Sequence, residues 1–344
     1  MSQVTYVGLD VHMKFTVAVW KKATGEERYA VVETSPEGFS KLARLIESGP
    51  MWAAYEASGV GWETHDLLVG MGWKVSVVPP THLPHTSRTR KTKTDLRDAR
   101  MILGVLMAHG ELGTELATVW IPDLETREDR ELVRRRLSLA EDVAQIKTQL
   151  RALLTMQQLK KPESLKTVWS DKYIAWLRGL AASEQVPASV RAALGSQLRQ
   201  LEFLRSELEI LEAAIEELSR KERYARRVER MRRQKGVGLL TSMGMLVELG
   251  DPLRFPNRRK LSSYLGLVPS MHDSAEVERR GHISRMGPAR LRKLLNQAAW
   301  AAVAFDPRWK ECYERLGGRR GAKRAIVAIM RKLAIELWHS ACAA

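Results

Sequence analysis

Apolar residues fall in short β-rich runs through the first eighty positions and then change to a helical period. VTYVGLDVH and FTVAVWKK are two such runs joined by a turn around Met13–Lys14, and RYAVVET follows the turn signal Ala23-Thr24-Gly25. Residues 35–48 place Phe39, Leu42, Leu45 and Ile46 at helical spacing behind Ser35-Pro36, which reads as a cap and first turn. MWAAYEA predicts a strand, residues 61–70 a helix, and WKVSVVPP a strand stopped by Pro79-Pro80. A basic loop from His82 to Lys93 then leads into a helix over Asp95–Met107.

From about residue 126 to 228 the chain reads as almost all helix. Leu132, Leu139, Ile146 and Leu153 recur every seven residues, with Val143 and Leu150 between them. After a broken region containing Pro162 and Pro187, Leu194, Leu201, Leu208 and Ile215 take one heptad position and Leu204, Leu211 and Leu218 the other, with Gln197 the polar residue in the seam. This pattern fits an antiparallel hairpin, an oligomerising coiled coil or ordinary bundle helices. The last part opens on Lys235-Gly236-Val237-Gly238 before the apolar helix LLTSMGMLVELG. It continues through a polar loop over residues 270–281 and the basic helix ARLRKLLNQAAWAAVAF, and closes on a helix over Lys323–Ala341. The expected division is an α/β domain over 1–125, a helical coiled-coil or oligomerisation segment over 126–228, and a mainly helical basic domain over 229–344.

Charge sharpens that division. The chain carries 56 Lys+Arg against 40 Asp+Glu, a formal charge of +16. Residues 1–125 hold 13 basic and 15 acidic residues, so residues 126–344 hold 43 and 25 and supply the whole excess. A polyanionic partner is implied, because each phosphate contact releases condensed counterions. Cys312 and Cys342 stand alone without metal-ligand spacing, which argues against a disulfide framework or a zinc finger and suits a reducing cytosol. The N-terminus has no signal-peptide pattern, and no apolar stretch approaches the roughly 20 residues of a spanning helix, so no membrane partner is expected.

Four carboxylates in the first part point to chemistry. Asp10 and Glu56 end apolar runs, and Asp95 and Asp98 lie three apart at the start of a helix, on one of its faces. Three strands followed by alternating helices and strands, with acids at strand ends, is the order of a ribonuclease-H-like domain. Four acids brought together repel one another unless cations neutralise them, and hard divalent ions such as Mg²⁺ or Mn²⁺ take oxygen ligands. Two such ions clamping a phosphate recur in phosphodiester cleavage. Arg88, Arg90, Lys91 and Lys93 beside these acids, and Arg279, Arg280, Arg285, Arg290, Arg292 and Lys293 near the polar loop, are candidate nucleic-acid contacts. Gly236 and Gly238 are candidates as well, since a Gly-rich turn at a helix N-terminus offers free N–H groups to a phosphate. His12 and His282 are set aside as general bases.

GLDVH at 8–12, YEAS at 55–58 and TDLRDAR at 94–100 resemble the first domain of the DEDD-type insertion-sequence transposases. GVG at 236–238, RFP at 254–256, YLGLVP at 264–269 and ISRMGPARLRKLL at 283–295 resemble that family's C-terminal domain, a layout shared with Piv-type DNA invertases. The resemblance covers both ends of the chain, while the helical middle matches in position and character alone. It implies a RuvC-like fold for the first domain, with Asp10, Glu56, Asp95 and Asp98 holding Mg²⁺. It also implies a serine nucleophile that forms a covalent phosphoserine link to double-stranded DNA, a structured guide (bridge) RNA, and a homo-oligomer, dimer or tetramer, in the bacterial cytosol. Ser274 is the positional match for that serine, but Asp273 stands where the family has a serine and Ala275 where it has glycine. Ser270 and Ser284 are the fallback candidates. Two rivals keep the same acids without the covalent step: a metal-dependent nuclease or junction resolvase, and a non-catalytic nucleic-acid-binding remnant. An actin-like or sugar-kinase ATPase is disfavoured, because Val11-His12-Met13-Lys14-Phe15 is no Gly/Thr-rich phosphate loop.

Overall fold

The computed structural model describes residues 4–46, 49–84, 94–274 and 277–343, and of residues 271–274, 277–281 and 318–320 it describes the backbone alone. The chain forms two units, Met1–Ile121 and Pro122–Ala344. The basic loop residues Arg88, Arg90, Lys91 and Lys93 lie outside the described residues.

The first unit is a five-stranded mixed sheet in the order β3-β2-β1-β4-β5. Its strands are β1 (Thr5–Val11), β2 (Phe15–Lys22), β3 (Arg28–Glu33), β4 (Met51–Glu56) and β5 (Lys74–Val78). β1, β2 and β3 pair antiparallel, and β4 and β5 add on parallel to β1. Alternation along each strand divides its side chains between two layers. Val7, Leu9 and Val11 face a core built with Phe39 and Leu42 of α1 (Pro36–Ile46) and Leu68 of α2 (Glu63–Gly70). Tyr6, Val17, Val19 and Ala54 face the other way, onto Ala99, Ile102, Leu103 and Leu106 of α3 (Asp95–Leu112). α3 lies flush on β1 because Gly8 has no side chain: a Cβ there would sit 2.2 Å from the Ala99 carbonyl oxygen.

The second unit is helical. α4 (Leu124–Met156) and α6 (Ala188–Ser219) form a long antiparallel pair, with α5 (Asp171–Ala182) packed at the end where they are joined. Leu139, Ile146, Leu150, Leu194 and Leu201 of the predicted seams are buried there, while Val133, Leu137, Ile215 and Leu218 at the opposite end enter a second core. Of the arrangements the heptads allowed, the pair is seen within one chain. Gln197, the polar seam residue, buries its Oε1 with no hydrogen-bond partner among the described residues. The second core is completed by α7 (Glu222–Arg232), α8 (Leu239–Leu249), α9 (Arg258–Tyr264), α10 (Ala289–Phe305), α11 (Pro307–Arg320) and α12 (Ala322–Cys342).

A charged network ties α4 to the end of α8. The buried Arg130 donates to the carbonyls of Val247 (2.5 Å) and Glu248 (3.1 Å), and Arg134 grips the Glu248 carboxylate at 2.8 and 3.0 Å. The last carbonyls of a helix have no partner inside it, and these arginines supply some. Burial pulls the Arg130 guanidinium below its ordinary value, whereas the bond to Glu248 holds Arg134 above its own.

One expected element differs. The polar loop over residues 270–281 is a two-stranded hairpin, β6 (Pro269–Ser274) and β7 (Val277–Ile283). PSMHDS and VERRGHI lack the apolar alternation that marks a half-buried strand, so the period-2 signal is missing.

Candidate active site

Strand alternation aims the acids of the first unit at α3. Asp10 follows Tyr6 and Gly8 on the α3 face of β1, and Glu56 follows Trp52 and Ala54 on the same face of β4. Leu9 stands opposite Tyr55 in the parallel register, so Asp10 and Glu56 reach the same sheet edge. Asp95 and Asp98 lie in the first turn of α3, which Thr94 begins.

The group drawn together most closely is Asp10, His12 and Asp95, whose ligand atoms all lie within 4.8 Å of one another. His12 Nε2 is 3.3 Å from Asp10 Oδ2 and 3.6 Å from Asp95 Oδ1. That nitrogen is buried and has no hydrogen-bond partner among the described residues, although the side chain as a whole is 42% exposed. The ring is held from behind: the His12 amide donates to Phe15 O (3.0 Å), Thr34 Oγ1 donates to His12 O (2.7 Å), and the Phe15 ring packs 4.8 Å away. Two partly buried carboxylates and an imidazole nitrogen without a hydrogen bond are a donor set that suits a divalent metal ion. Glu56 and Asp98 stand at the same edge but outside this close group. His12 is the residue that sequence reasoning set aside; its place two positions after Asp10, hence on the same strand face, is the signal that could have found it.

In the second unit the register pairs Ser274 with Val277, which places Ser274 at the inner end of the hairpin turn. Its side chain, with those of Arg279 and Arg280, lies outside the described residues. The root of the hairpin is tightly built. Ser284 N donates to Val268 O at 2.8 Å, and Arg285 N to Gly266 O at 3.3 Å. Gly266 and Gly287 have φ of +65° and +87°, and a Cβ on either would strike the other arm, Met286 O at 2.1 Å or Tyr264 O at 1.9 Å. Arg292, expected at a phosphate, instead donates to four backbone carbonyls: Leu265 (3.2 Å), Met286 (3.1 Å), Gly287 (3.1 Å) and Arg285 (2.8 Å). Burial and the neighbouring Arg285 pull its guanidinium below the ordinary value.

The remaining candidates divide by partner. Lys293 pairs with Glu141 at 2.5 Å, which holds that carboxyl below its usual range, and Arg285 and Arg290 are exposed. A Cβ on Gly236 (φ +85°) would lie 2.4 Å from Ala302 N, so this glycine serves close packing on α10, whereas Gly238 has open space and precedes α8. Of the fallback serines, Ser270 Oγ donates to His282 O (3.0 Å), and Ser284 Oγ is buried without a partner among the described residues.

Comparison with known proteins places these two sites in one family. Residues 228–314, which span the hairpin and its root, match the family model described as Transposase IS116/IS110/IS902 family, and residues 7–157, which span all four acids, match a model for DEDD-type transposases. The Sinorhizobium fredii protein y4qE, named as a transposase, is 30% identical over 308 residues, 88% of this chain and 73% of its own. The chain belongs to the IS116/IS110/IS902 family of transposases. The resemblance carried by GLDVH, TDLRDAR and YLGLVP is thereby borne out, and the mixed sheet with its helices is the family's RNase-H-like DEDD domain. The transposase is also 25% identical to the Leptospira borgpetersenii transposase for insertion sequence element IS1533, over 98% of this chain and 95% of that one. It is 24% identical to the pilin gene-inverting protein of Moraxella bovis, over 96% and 93%. As a transposase it is an enzyme of DNA strand cleavage and transfer. Among the described residues no helix is long and apolar enough to cross a membrane.

Proposed function

We propose that this transposase cuts and rejoins double-stranded DNA through a covalent link to Ser274, guided by a structured RNA and aided by Mg²⁺ or Mn²⁺ on its N-terminal acids. The observation that carries the metal-assisted reading is the convergence of Asp10 and Asp95 on the partnerless Nε2 of His12. Asp10, Asp95 and His12 would hold the ion, with Glu56 and Asp98 completing its surroundings. The chemistry such an ion supplies is neutralisation of charge on a phosphate and polarisation of an attacking hydroxyl. In the covalent step the Ser274 hydroxyl gives up its proton and its oxygen bonds to a DNA phosphorus. The bond from that phosphorus to a deoxyribose oxygen breaks, and this oxygen leaves as a hydroxyl. Attack by a hydroxyl of the incoming strand reverses the exchange, so the number of phosphodiesters is conserved without ATP.

Residues 126–344 supply the basic surface for DNA and the guide RNA. Assembly into a dimer or tetramer is supported by Phe203 and Ile210, seven residues apart on α6 and 62% and 61% exposed. Such a protein would work in the bacterial cytosol, at the nucleoid.

The test combines the protein, RNA transcribed from the genomic flank, Mg²⁺ and end-labelled DNA carrying the element junction. An RNA-dependent, SDS-stable protein–DNA adduct should form with wild type and be lost in Ser274→Ala. Cleavage with free ends, no adduct and indifference to Ser274→Ala would replace this reading with a metal-dependent nuclease.

A further inference from the structure

Lys147 and Arg151, one turn apart on α4, and Arg205 on α6 converge on Trp169, the residue just before the Ser170 cap of α5. Lys147 Nζ and the Arg151 guanidinium carbon lie 5.4 and 5.3 Å from the centre of the indole ring, and Arg205 Nη2 donates to the Trp169 carbonyl at 2.9 Å. Trp169 holds φ of +66°, a conformation a bulky side chain adopts only where its surroundings enforce it. Its ring is buttressed edge-on by the buried Tyr173, 5.3 Å away.

Like charges gathered in this way repel, and proteins ordinarily interleave them with acids. The same helices do so elsewhere: Arg136 of α4 pairs with Glu212 of α6, and Arg178 of α5 pairs with Glu202 of α6 at 2.6 Å. Around Trp169 no carboxylate joins the three cations among the described residues. Burial and then the neighbouring Arg205 and Arg151 push the Lys147 ammonium below its ordinary value.

The geometry points to an anion site at Lys147, Arg151 and Arg205, built on Trp169, that takes the phosphate backbone of a polynucleotide. Two cations of one helix over a fixed aromatic ring, with a third from the neighbouring helix beside it, track successive phosphates and read no base edges, so the site positions the ligand without selecting its sequence. The site is independent of the serine and carboxylate assignments and would persist if either failed.

Full-length protein settles it, titrated across a salt series with a short single-stranded RNA and with a DNA duplex of the same length. Lys147→Gln with Arg151→Gln should lower the slope of log K against log salt by about 1.8 on duplex DNA or about 1.4 on single-stranded RNA. Whichever ligand shows the loss is the one the site holds. Arg136→Gln with Arg178→Gln removes the same number of charges from acid-paired positions and should change the slope by less than half as much. Equal changes from the two double variants, or no change from the first on either ligand, would overturn the site. A melting temperature at or above wild type for the first variant checks that the fold is intact.

Discussion

Asp10 sits on a central strand covered by an apolar layer on one side and by α3 on the other, whereas Ser274 ends a hairpin whose sequence is largely polar. The first group is placed by burial: Gly8 admits α3 to the strand, and the helix brings Asp95 to Asp10. The second is placed by hydrogen bonds at its root, where Arg292 gathers four carbonyls and Gly266 and Gly287 let two arms cross. A candidate site residue can thus be placed either by a layer it does not belong to or by a clamp away from its own position. The two devices fail differently when altered.

The largest effect is expected at the acids. Asp10→Asn keeps the shape but removes a charge from the metal-ligand set, and DNA cleavage should fall by at least about 10²-fold, as when a preorganised electrostatic contact to the transition state is removed. Unchanged cleavage would take Asp10 out of the site. Next comes the layer itself. Gly8→Ala puts a Cβ 2.2 Å from Ala99 O and should cost about 1–3 kcal/mol by overpacking, seen as a lower melting temperature together with weaker Mn²⁺ binding. Gly104→Ala, on the same helix with open space around it, should instead stabilise by about 1 kcal/mol, which separates overpacking from any general intolerance of alanine.

For the clamp, Arg292→Gln takes a charged donor from four carbonyls, three of them exposed and able to turn to water, so the net loss should be about 1.5 kcal/mol. Hydrogen exchange should accelerate in residues 269–274 and 277–283 and stay unchanged in α12. Acceleration throughout the unit would mean that Arg292 supports the whole core. The smallest effect lies at the start of α4. Burial raises the Asp123 carboxyl, but the Thr126 amide and hydroxyl and the Arg223 guanidinium outweigh it and hold the group below its usual value. A depressed carboxylate stabilises above its unfolded pKa of about 4 and loses that contribution as pH falls through the lower folded value. Asp123→Ala should therefore cost about 1 kcal/mol at neutral pH and flatten the acid limb of the stability curve. An acid limb identical to wild type would remove Asp123 from it.

What the sequence disclosed follows the same contrast. VTYVGLDVH, FTVAVWKK and MWAAYE announce strands because they are short apolar runs buried on both faces, and the order of those strands carries Asp10 and Glu56 to one edge. The heptads of α4 and α6 announce the helical pair because their buried residues recur on one face. Burial leaves a periodic trace; hydrogen-bonded placement does not. The hairpin read as a loop, and Arg292 as a phosphate contact, because neither the strand pairing nor the four carbonyl bonds leave a periodic pattern. His12 lay between the two cases: its strand face was legible, but its approach to Asp95 depends on the helix that Gly8 admits.

The most direct measurement is mass spectrometry of the protein–DNA adduct after nuclease and trypsin digestion, which locates the nucleotide on the polypeptide. The account predicts a phosphate-linked nucleotide on Ser274, and no such peptide from the Asp10→Asn protein. A nucleotide on Ser270, Ser284 or any other residue, or cleaved DNA with every serine unmodified, would contradict it.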